Sequence, residues 1–207
     1  MNNYVFEYFD QLFPNPKCEL DYNKDYELLI AVILSAQTTD KRVNKVTKVL
    51  FSKYPTLKEL SLAKISDIED IIREIGTFRR KAVYVHELAN KLVSDGYEQV
   101  PNNREYIESL PGVGHKSANV FLSNIYNEPA LAVDTHVARV SKRLGIAKEH
   151  DDVKIIEKKL MKLVPKDRWI RTHHQMVLFG RYHCLAIKPK CSQCKIRDIC
   201  KNKEKTV

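Results

Sequence analysis

Apolar residues recur at helical spacing along almost the whole chain, and this periodicity limits the fold more than any other feature. The clearest stripes are Val5, Phe9 and Leu12; Leu28, Val32 and Leu34; Val43, Val46, Val49 and Leu50; and Ile68, Ile71, Ile72 and Ile75. Further helices are predicted at about 78–94, 103–109, 115–126, 134–144, 152–164 and 166–180. No segment shows strict alternation of apolar and polar residues between hairpin turns. The sequence therefore predicts an all-α fold.

The length and composition suit a globular protein. The chain has 207 residues, 43% of them hydrophobic, enough for one domain or two small ones around a real core. Its longest apolar run, Leu28–Leu34, is too short to span a bilayer, so no membrane partner is expected. The first ten residues lack the basic flank of a secretory signal. We therefore expect a soluble, cytoplasmic protein.

The charge balance points to an anionic partner. The formal net charge is +9, and nucleic acid is the most common partner of so basic a chain. Many lysine-rich proteins bind nothing acidic, so the charge indicates a class of partner without identifying one.

Four of the five cysteines lie together near the carboxyl end. Cys184, Cys191, Cys194 and Cys200 are separated by six, two and five residues. Because no export signal is present, this clustering favours a metal site over disulfides. A structural zinc site usually brings two close pairs across a longer gap, whereas uneven spacing suits an iron–sulfur cluster; the spacing leaves both open. Cys18 lies far away and is expected to be an ordinary thiol.

The cysteine segment is also basic. Lys188 and Lys190 lie between two of the cysteines, where a metal-held loop would present them at fixed positions. We expect these two lysines to contact phosphates of a nucleic acid.

The stretch LPGVGHKSANV, residues 110–120, predicts a tight turn that opens a helix. Glycines in the turn allow turn conformations and close approach of a ligand, and the amides at the helix start favour a phosphate. The predicted DNA-contacting residues here are Gly112, Val113, Gly114 and His115. Lys116 lies opposite the core-facing stripe of the helix and therefore projects outward. A neutral lysine in such a place is a nucleophile able to form a Schiff base.

A lysine nucleophile requires an acidic partner, and LAVDTHVARV supplies Asp134 at the start of the next helix. Taken alone, Asp134 is best explained as an N-cap, as are Asp40 and Ser66 before their own helices. The cap and the catalytic interpretation of Asp134 are compatible.

The hairpin with its lysine, the Val-Asp-Thr-His segment and the four cysteines occur here in an order that resembles the endonuclease III family of DNA glycosylases. The resemblance covers essentially the whole chain, including LLIAVILSAQTTD at 28–40. It implies a helix–hairpin–helix that grips DNA and a 4Fe–4S cluster on the four cysteines. It also implies a six-helix lobe at 21–131, a cluster lobe formed by 1–20 and 132–207, and a DNA groove between them.

The resemblance further implies a bifunctional glycosylase and AP lyase of base excision repair that acts as a monomer at the nucleoid. Its partner is double-stranded DNA with damaged bases or abasic sites. Lys116 is the implied nucleophile and Asp134 the essential carboxylate. Gln37 would fill the gap left by the flipped nucleotide, and His136 would face the DNA. The implied substrates are oxidised pyrimidines such as thymine glycol, with β-elimination cutting 3′ to the abasic site.

Two positions depart from the family pattern. Thr77 stands where a larger apolar wedge is common, with Phe78 beside it, and His115 stands where an arginine is common. Both leave substrate and opposite-base preference open.

Three alternatives are weaker. Mismatch glycosylases acting on adenine, thymine or uracil often lack the lysine at position 116. Those acting on adenine also carry a further domain after the cysteines, whereas seven residues follow Cys200 in this sequence. A non-catalytic helix–hairpin–helix protein needs neither Lys116 nor Asp134. An iron–sulfur electron carrier does not need the hairpin.

Overall fold

The structure is a computed structural model that describes residues 3–202. The α-helices are α1 (Asn3–Leu12), α2 (Asp25–Leu34), α3 (Asp40–Lys53), α4 (Leu57–Ser61), α5 (Ile65–Ile71), α6 (Phe78–Ser94), α7 (Arg104–Ser109), α8 (His115–Ile125), α9 (Thr135–Arg143), α10 (Val153–Leu163) and α11 (Trp169–Tyr182). Short 3₁₀ helices lie at Lys166–Arg168 and Cys191–Gln193. The described residues contain no strand, so the all-α prediction is confirmed. No helix within 3–202 is long and apolar enough to cross a membrane.

The chain divides into two compact units. One is Glu19–Tyr126, and the other joins the described residues 3–18 to residues 127–202. Leu131 and Val133 are buried in the core of this second unit. The lobe boundaries expected from the sequence, 21–131 and 1–20 with 132–207, stay a prediction.

The unit formed by residues 19–126 is built around α2. Nine of the ten residues of α2 are buried, so this helix is apolar on every side and lies at the centre of its unit. Asp25 begins the helix, and its carboxylate accepts hydrogen bonds from the amides of Tyr26 at 2.7 Å and Val100 at 2.6 Å. This charged anchor fixes the start of α2 against the segment that precedes α7.

The other unit packs α1 against α11. The rings of Phe9 and Phe179 lie 5.0 Å apart, and Tyr8 meets Phe179 edge-on at 6.2 Å. Aromatic pairs of this kind add packing energy to the area that they bury. The core of this unit therefore joins the first helix to the helix that leads into the cysteine segment.

The carboxylate of Asp10 also holds α1 in place, because it accepts several hydrogen bonds. Asp10 accepts hydrogen bonds from Arg168 at 2.9 Å, Arg171 at 2.7 Å and Gln175 at 2.8 Å. Burial raises the pKa of Asp10, but the bonds from Gln175, Arg171 and Arg168 outweigh it and bring the pKa from 3.8 down to about 2. The ionised form of Asp10 therefore stabilises the folded unit.

We expect Asp10→Asn to lower the free energy of unfolding at pH 7 by roughly 1 kcal/mol, allowing for solvent screening of a side chain that is 34% exposed. Because the folded pKa lies below the unfolded one, this contribution is complete above about pH 4 and is lost as the pH falls through about 2. Urea unfolding of the wild type and of Asp10→Asn should show a smaller difference in the free energy of unfolding at pH 3 than at pH 7. Glu74→Gln, which removes an exposed pair with Lys45, is the control and should change little. A difference independent of pH would contradict this account.

The predicted helix caps are right at one position and wrong at two. Asp134 caps α9, since its carboxylate accepts a hydrogen bond from the amide of Val137 at 2.8 Å. Asp40 is instead the first residue of α3, because Thr39 occupies the cap position. Ser66 lies inside α5, where its hydroxyl is near the Asp67 carboxylate. Polar side chains near helix starts predict the approximate start and not the capping residue itself.

Candidate active site and cysteine cluster

The hairpin joins α7 to α8 through the turn 110–114. Gly112 has a φ of 77°, in the left-handed region. A Cβ atom at this position would lie 2.7 Å from Cδ2 of Tyr84 in α6, closer than real side chains approach. Both the backbone conformation and the neighbouring ring therefore require glycine at position 112.

Gly114 and Val113 are the other two residues of this turn that were predicted to contact DNA. Gly114 has an extended backbone with φ −110°, which any residue adopts, and nothing lies within 4 Å of an added Cβ. Gly114 therefore leaves open space for a ligand beside the backbone, and its backbone conformation does not require glycine. Val113 is buried, and its amide donates to the carbonyl of Leu110 at 3.1 Å, so it stabilises the turn. Gly114 gives α8 no side-chain cap, which leaves the amides of the first turn of α8 without an acceptor from the cap residue.

His115 is held within the hairpin. Its Nδ1 lies 3.2 Å from the Glu108 carboxylate, and its Nε2 lies 3.3 Å from the Asn119 amide nitrogen. Arg104 donates to both of these partners, at 3.3 Å to Glu108 and 2.8 Å to Asn119. The side chain expected to contact phosphate therefore also braces α7 against α8, through partners that the sequence did not single out.

Lys116 lies in the first turn of α8 and is exposed. The core side of the same helix is formed by Ala118, Phe121 and Leu122, all fully buried. The helix thus directs the lysine away from the core, beside the open space at Gly114.

Gln37 and Thr77 lie at two neighbouring loops. Both are exposed residues with a φ of 57°, a left-handed conformation uncommon outside glycine. A Cβ at Gly76 would lie 3.9 Å from the carbonyl oxygen of Gln37, so the two loops are side by side. Phe78 follows Thr77 and is half-buried, with the Arg79 guanidinium 5.2 Å from its ring centroid. Such strain is often found where a loop must present a side chain to a ligand.

Asp134 and His136 lie at the start of α9 in the other unit. Asp134 is partly exposed although it caps the helix. His136 packs so closely on α11 that a Cβ at Gly180 would lie 2.7 Å from its own Cβ. Burial lowers the pKa of His136, and the Asp134 charge opposes that effect only in part. Arg139 also holds the ring, with Nη2 3.1 Å from Nδ1 of His136.

The four cysteines line one small cavity that is partly open to solvent. The cysteines that line it are Cys184, Cys191, Cys194 and Cys200. Burial raises the pKa of the Cys194 thiol, and the negative charge of the other three thiols adds to this effect. Arg143 holds the cavity wall, since Nη1 is 3.3 Å from Sγ of Cys184 and its carbonyl accepts from the Cys200 thiol at 3.3 Å. Within residues 3–202, no three His, Cys, Asp or Glu side chains converge on a single metal-ion position.

Lys188 and Lys190, which lie between Cys184 and Cys191, are both exposed. Lys188 has a left-handed backbone with φ 51°, and the amide of Lys190 donates to the carbonyl of His183 at 3.0 Å. The loop between Cys184 and Cys191 is therefore held by its backbone while both side chains project into solvent.

Residues 30–166 match the HhH-GPD superfamily of base excision DNA repair proteins. Endonuclease III of Bacillus subtilis strain 168 is 44% identical over 194 residues, which are 94% of this chain and 89% of that protein. The chain belongs to the endonuclease III family. It is therefore a base excision repair enzyme, a DNA glycosylase with AP lyase activity.

Solved structures agree with the endonuclease III assignment. A trapped covalent intermediate of endonuclease III with DNA, an estranged-adenine complex, matches with a TM-score of 0.92 and 46% identity, covering 96% of this chain and 93% of that one. A thermostable thymine-DNA glycosylase matches with a TM-score of 0.83 at 25% identity, covering 96% and 94%. Members of the endonuclease III family carry a 4Fe–4S cluster.

Sequence reasoning missed three basic residues that organise these sites: Lys81, Arg139 and Arg143. Arg139 donates to the carbonyls of Gly180 at 2.7 Å and Cys184 at 3.2 Å, which connects α9 to the start of the cysteine segment. The residues joined by these contacts are about forty positions apart in the sequence, so no local sequence pattern predicts the contacts.

Proposed function

We propose that this endonuclease III family member removes oxidised pyrimidines from duplex DNA through a Schiff base formed by Lys116. The observation that supports the proposal best is the position of Lys116: an exposed lysine beside the open Gly114, at a helix start whose cap residue supplies no side chain. A phosphate bound at this end of α8 would hold the sugar–phosphate backbone within reach of the amine.

The chemistry begins with the damaged nucleotide flipped out of the duplex, because the sugar of a stacked base is inaccessible. The lone pair of the Lys116 amine attacks C1′, and the bond from C1′ to the base breaks with its electron pair leaving on the base. One of the two amine protons is lost and neutralises the departing base, and the other goes to O4′ as the sugar ring opens, which leaves an imine between C1′ and the lysine nitrogen. The imine acidifies C2′, so removal of a C2′ proton expels the 3′ phosphate and cuts the strand by β-elimination.

Asp134 stabilises the positive charge that develops at the sugar and accepts the proton that the lysine amine loses. Its position at the start of α9 serves this role, because the hydrogen bond from the Val137 amide orients the carboxylate and leaves it partly exposed.

The other residues predicted to contact DNA either bind it directly or support those that do. The backbone of Gly112 and Gly114 offers close approach to phosphates, and Lys188 and Lys190 add cationic contacts. Gln37 fills the space of the flipped nucleotide, since an amide both donates and accepts hydrogen bonds. Val113 supports the turn, whereas His115 and His136 support their helices and lie beside the lysine and the carboxylate. The protein acts as a monomer on double-stranded DNA at the nucleoid in the cytoplasm.

The cofactor in this proposal is a 4Fe–4S cluster held by the four cysteines. Four thiols around one shared cavity, with the Arg143 guanidinium against Cys184, are a donor set that suits the anionic cluster. When bound, the cluster would join the four cysteines of the segment 184–200. It would thereby hold the loop that carries Lys188 and Lys190 in one conformation.

We expect Cys194→Ser to lose iron and to lower the unfolding temperature by roughly 5–10 °C, because a missing thiolate weakens the cross-link on which this segment depends. Elemental analysis for iron and zinc, together with thermal unfolding, measures both effects. Cys18→Ser is the control and should retain the metal. Zinc in place of iron in the purified protein would contradict the cluster.

The substrate is tested by incubating the enzyme with duplexes that contain thymine glycol, a G·T mismatch, a G·U mismatch or no lesion. We expect base release and strand cutting on the first duplex only. Preferred release from the mismatches would establish the second candidate, a mismatch glycosylase, which the likeness to the thymine-DNA glycosylase structure favours.

A further inference from the structure

Lys81, in the first turn of α6, is a buried lysine that the proposed chemistry does not use. Its side chain is only 4% exposed, and its ammonium donates to the carbonyls of Leu34 at 2.9 Å and Ala36 at 2.6 Å. These two carbonyls lie at the end of α2, where a helix leaves its last carbonyl groups without intrahelical partners. Lys81 therefore supplies hydrogen-bond donors to the carbonyl groups at this helix end.

Burial of this charge is costly, and it is not offset by an ion pair. Within residues 3–202, no carboxylate lies within 4 Å of the Lys81 ammonium, and burial lowers its pKa. A buried cation without a carboxylate is tolerated only where hydrogen bonds hold it firmly. The two carbonyls therefore define its position tightly, and it defines theirs in turn.

The same residue reaches both of the strained loops. The Ala36 carbonyl belongs to the peptide unit that enters Gln37, so the ammonium of Lys81 holds the backbone immediately before this left-handed residue. The backbone amide of Lys81 donates to the carbonyl of Thr77, the other left-handed residue, at 3.1 Å; this is the first hydrogen bond of α6, which any residue at position 81 would make. One residue thus contacts the backbone of both loops, and those loops are adjacent through Gly76.

We propose that Lys81 is a positioning residue that fixes the Gln37 loop in the conformation in which Gln37 enters the DNA gap. The inference rests on the proposed role of Gln37 and goes beyond it, because it names the group that holds the loop against the Thr77 turn. Lys81 touches neither DNA nor substrate in this account. It acts through the backbone of Ala36 and Gln37.

The test is a double-mutant cycle with Lys81→Met, Gln37→Ala and the double variant, assayed for base release from a thymine glycol duplex. If Lys81 acts through Gln37, each single variant lowers the rate by roughly 10- to 100-fold and the double variant is no slower than the worse single one. Lys81→Arg, which keeps donors for both carbonyls, should restore most of the rate. The exposed Lys58→Met in the same unit is the matched control and should behave as the wild type.

A second readout separates positioning from a general loss of structure. Strand cutting at an abasic site in a single strand involves no opposite base, so the ratio of duplex to single-strand rates should fall in Lys81→Met. Equal losses on both substrates would overturn the proposal, as would multiplicative losses in the double variant or an unchanged rate in folded Lys81→Met. If Lys81→Met fails to fold, Lys81→Gln, whose shorter amide cannot reach both carbonyls, takes its place in the cycle.

The proposal can also be tested without catalysis. Fluorescence of 2-aminopurine placed opposite a tetrahydrofuran abasic analogue reports whether a side chain enters the gap on binding. We expect Lys81→Met and Gln37→Ala to produce the same altered signal at saturating protein. A wild-type signal from Lys81→Met would overturn the positioning role, whereas failure of the wild type to cut any duplex would overturn the proposed function alone.

Discussion

Lys116→Gln should reduce strand cutting at a preformed abasic site by at least about 10³-fold, because it removes the only atom that the mechanism uses to bond to the sugar. Glutamine retains the length and polarity of the side chain but has no nucleophilic amine. Since Lys116 is exposed at a helix start, the fold should be unaffected. Duplex binding should weaken by less than about tenfold, the effect of losing one cation near the phosphates.

The matched control is Lys58→Gln, an exposed lysine on α4 in the same unit, which should cut at the wild-type rate. Gel-resolved cutting of an end-labelled duplex under single-turnover conditions measures the chemical step apart from product release. Cutting by Lys116→Gln within tenfold of the wild-type rate would assign the nucleophile to another residue.

Asp134→Asn should lower base release by about 10²- to 10⁴-fold while leaving the unfolding temperature nearly unchanged. The two effects separate because asparagine caps a helix about as well as aspartate but cannot stabilise positive charge or accept the proton. Asp134→Ala should lose activity and also about 1 kcal/mol of stability, since the hydrogen bond to the Val137 amide disappears.

Thermal unfolding and single-turnover base release on the three proteins distinguish a cap from a catalytic group. Asp152→Asn is the control, because Asp152 caps α10 with the same geometry, its carboxylate accepting from the Ile155 amide at 2.8 Å. Normal activity in Asp134→Asn would reduce Asp134 to a structural cap.

The helices were predictable because each buries a continuous apolar face. The sequence placed α6 at 78–94, and the structure has it at Phe78–Ser94. The last predicted helix, 166–180, is in fact a 3₁₀ turn at Lys166–Arg168 followed by α11 to Tyr182, since side-chain periodicity does not distinguish the two helix types at a boundary.

The positions of the candidate site residues in the fold were predictable only where a local motif sets them. Gly112, Lys116 and Asp134 lie where the hairpin and the helix starts place them, because turn and cap chemistry is local. His115 differs, since its contacts with Glu108 and Asn119 depend on how α7 packs against α8. Lys81 could not be found from sequence, because the carbonyls that it holds are as many as 47 residues away.

The central claim is that Lys116 forms a covalent imine with the abasic sugar, and borohydride trapping tests it most directly. Borohydride reduces the imine to a stable amine, so a duplex with one thymine glycol should become covalently bound to the wild type and not to Lys116→Gln. Peptide mapping of the adduct should place the DNA on Lys116. Release of the base without any adduct, or an adduct that persists in Lys116→Gln, would contradict the mechanism.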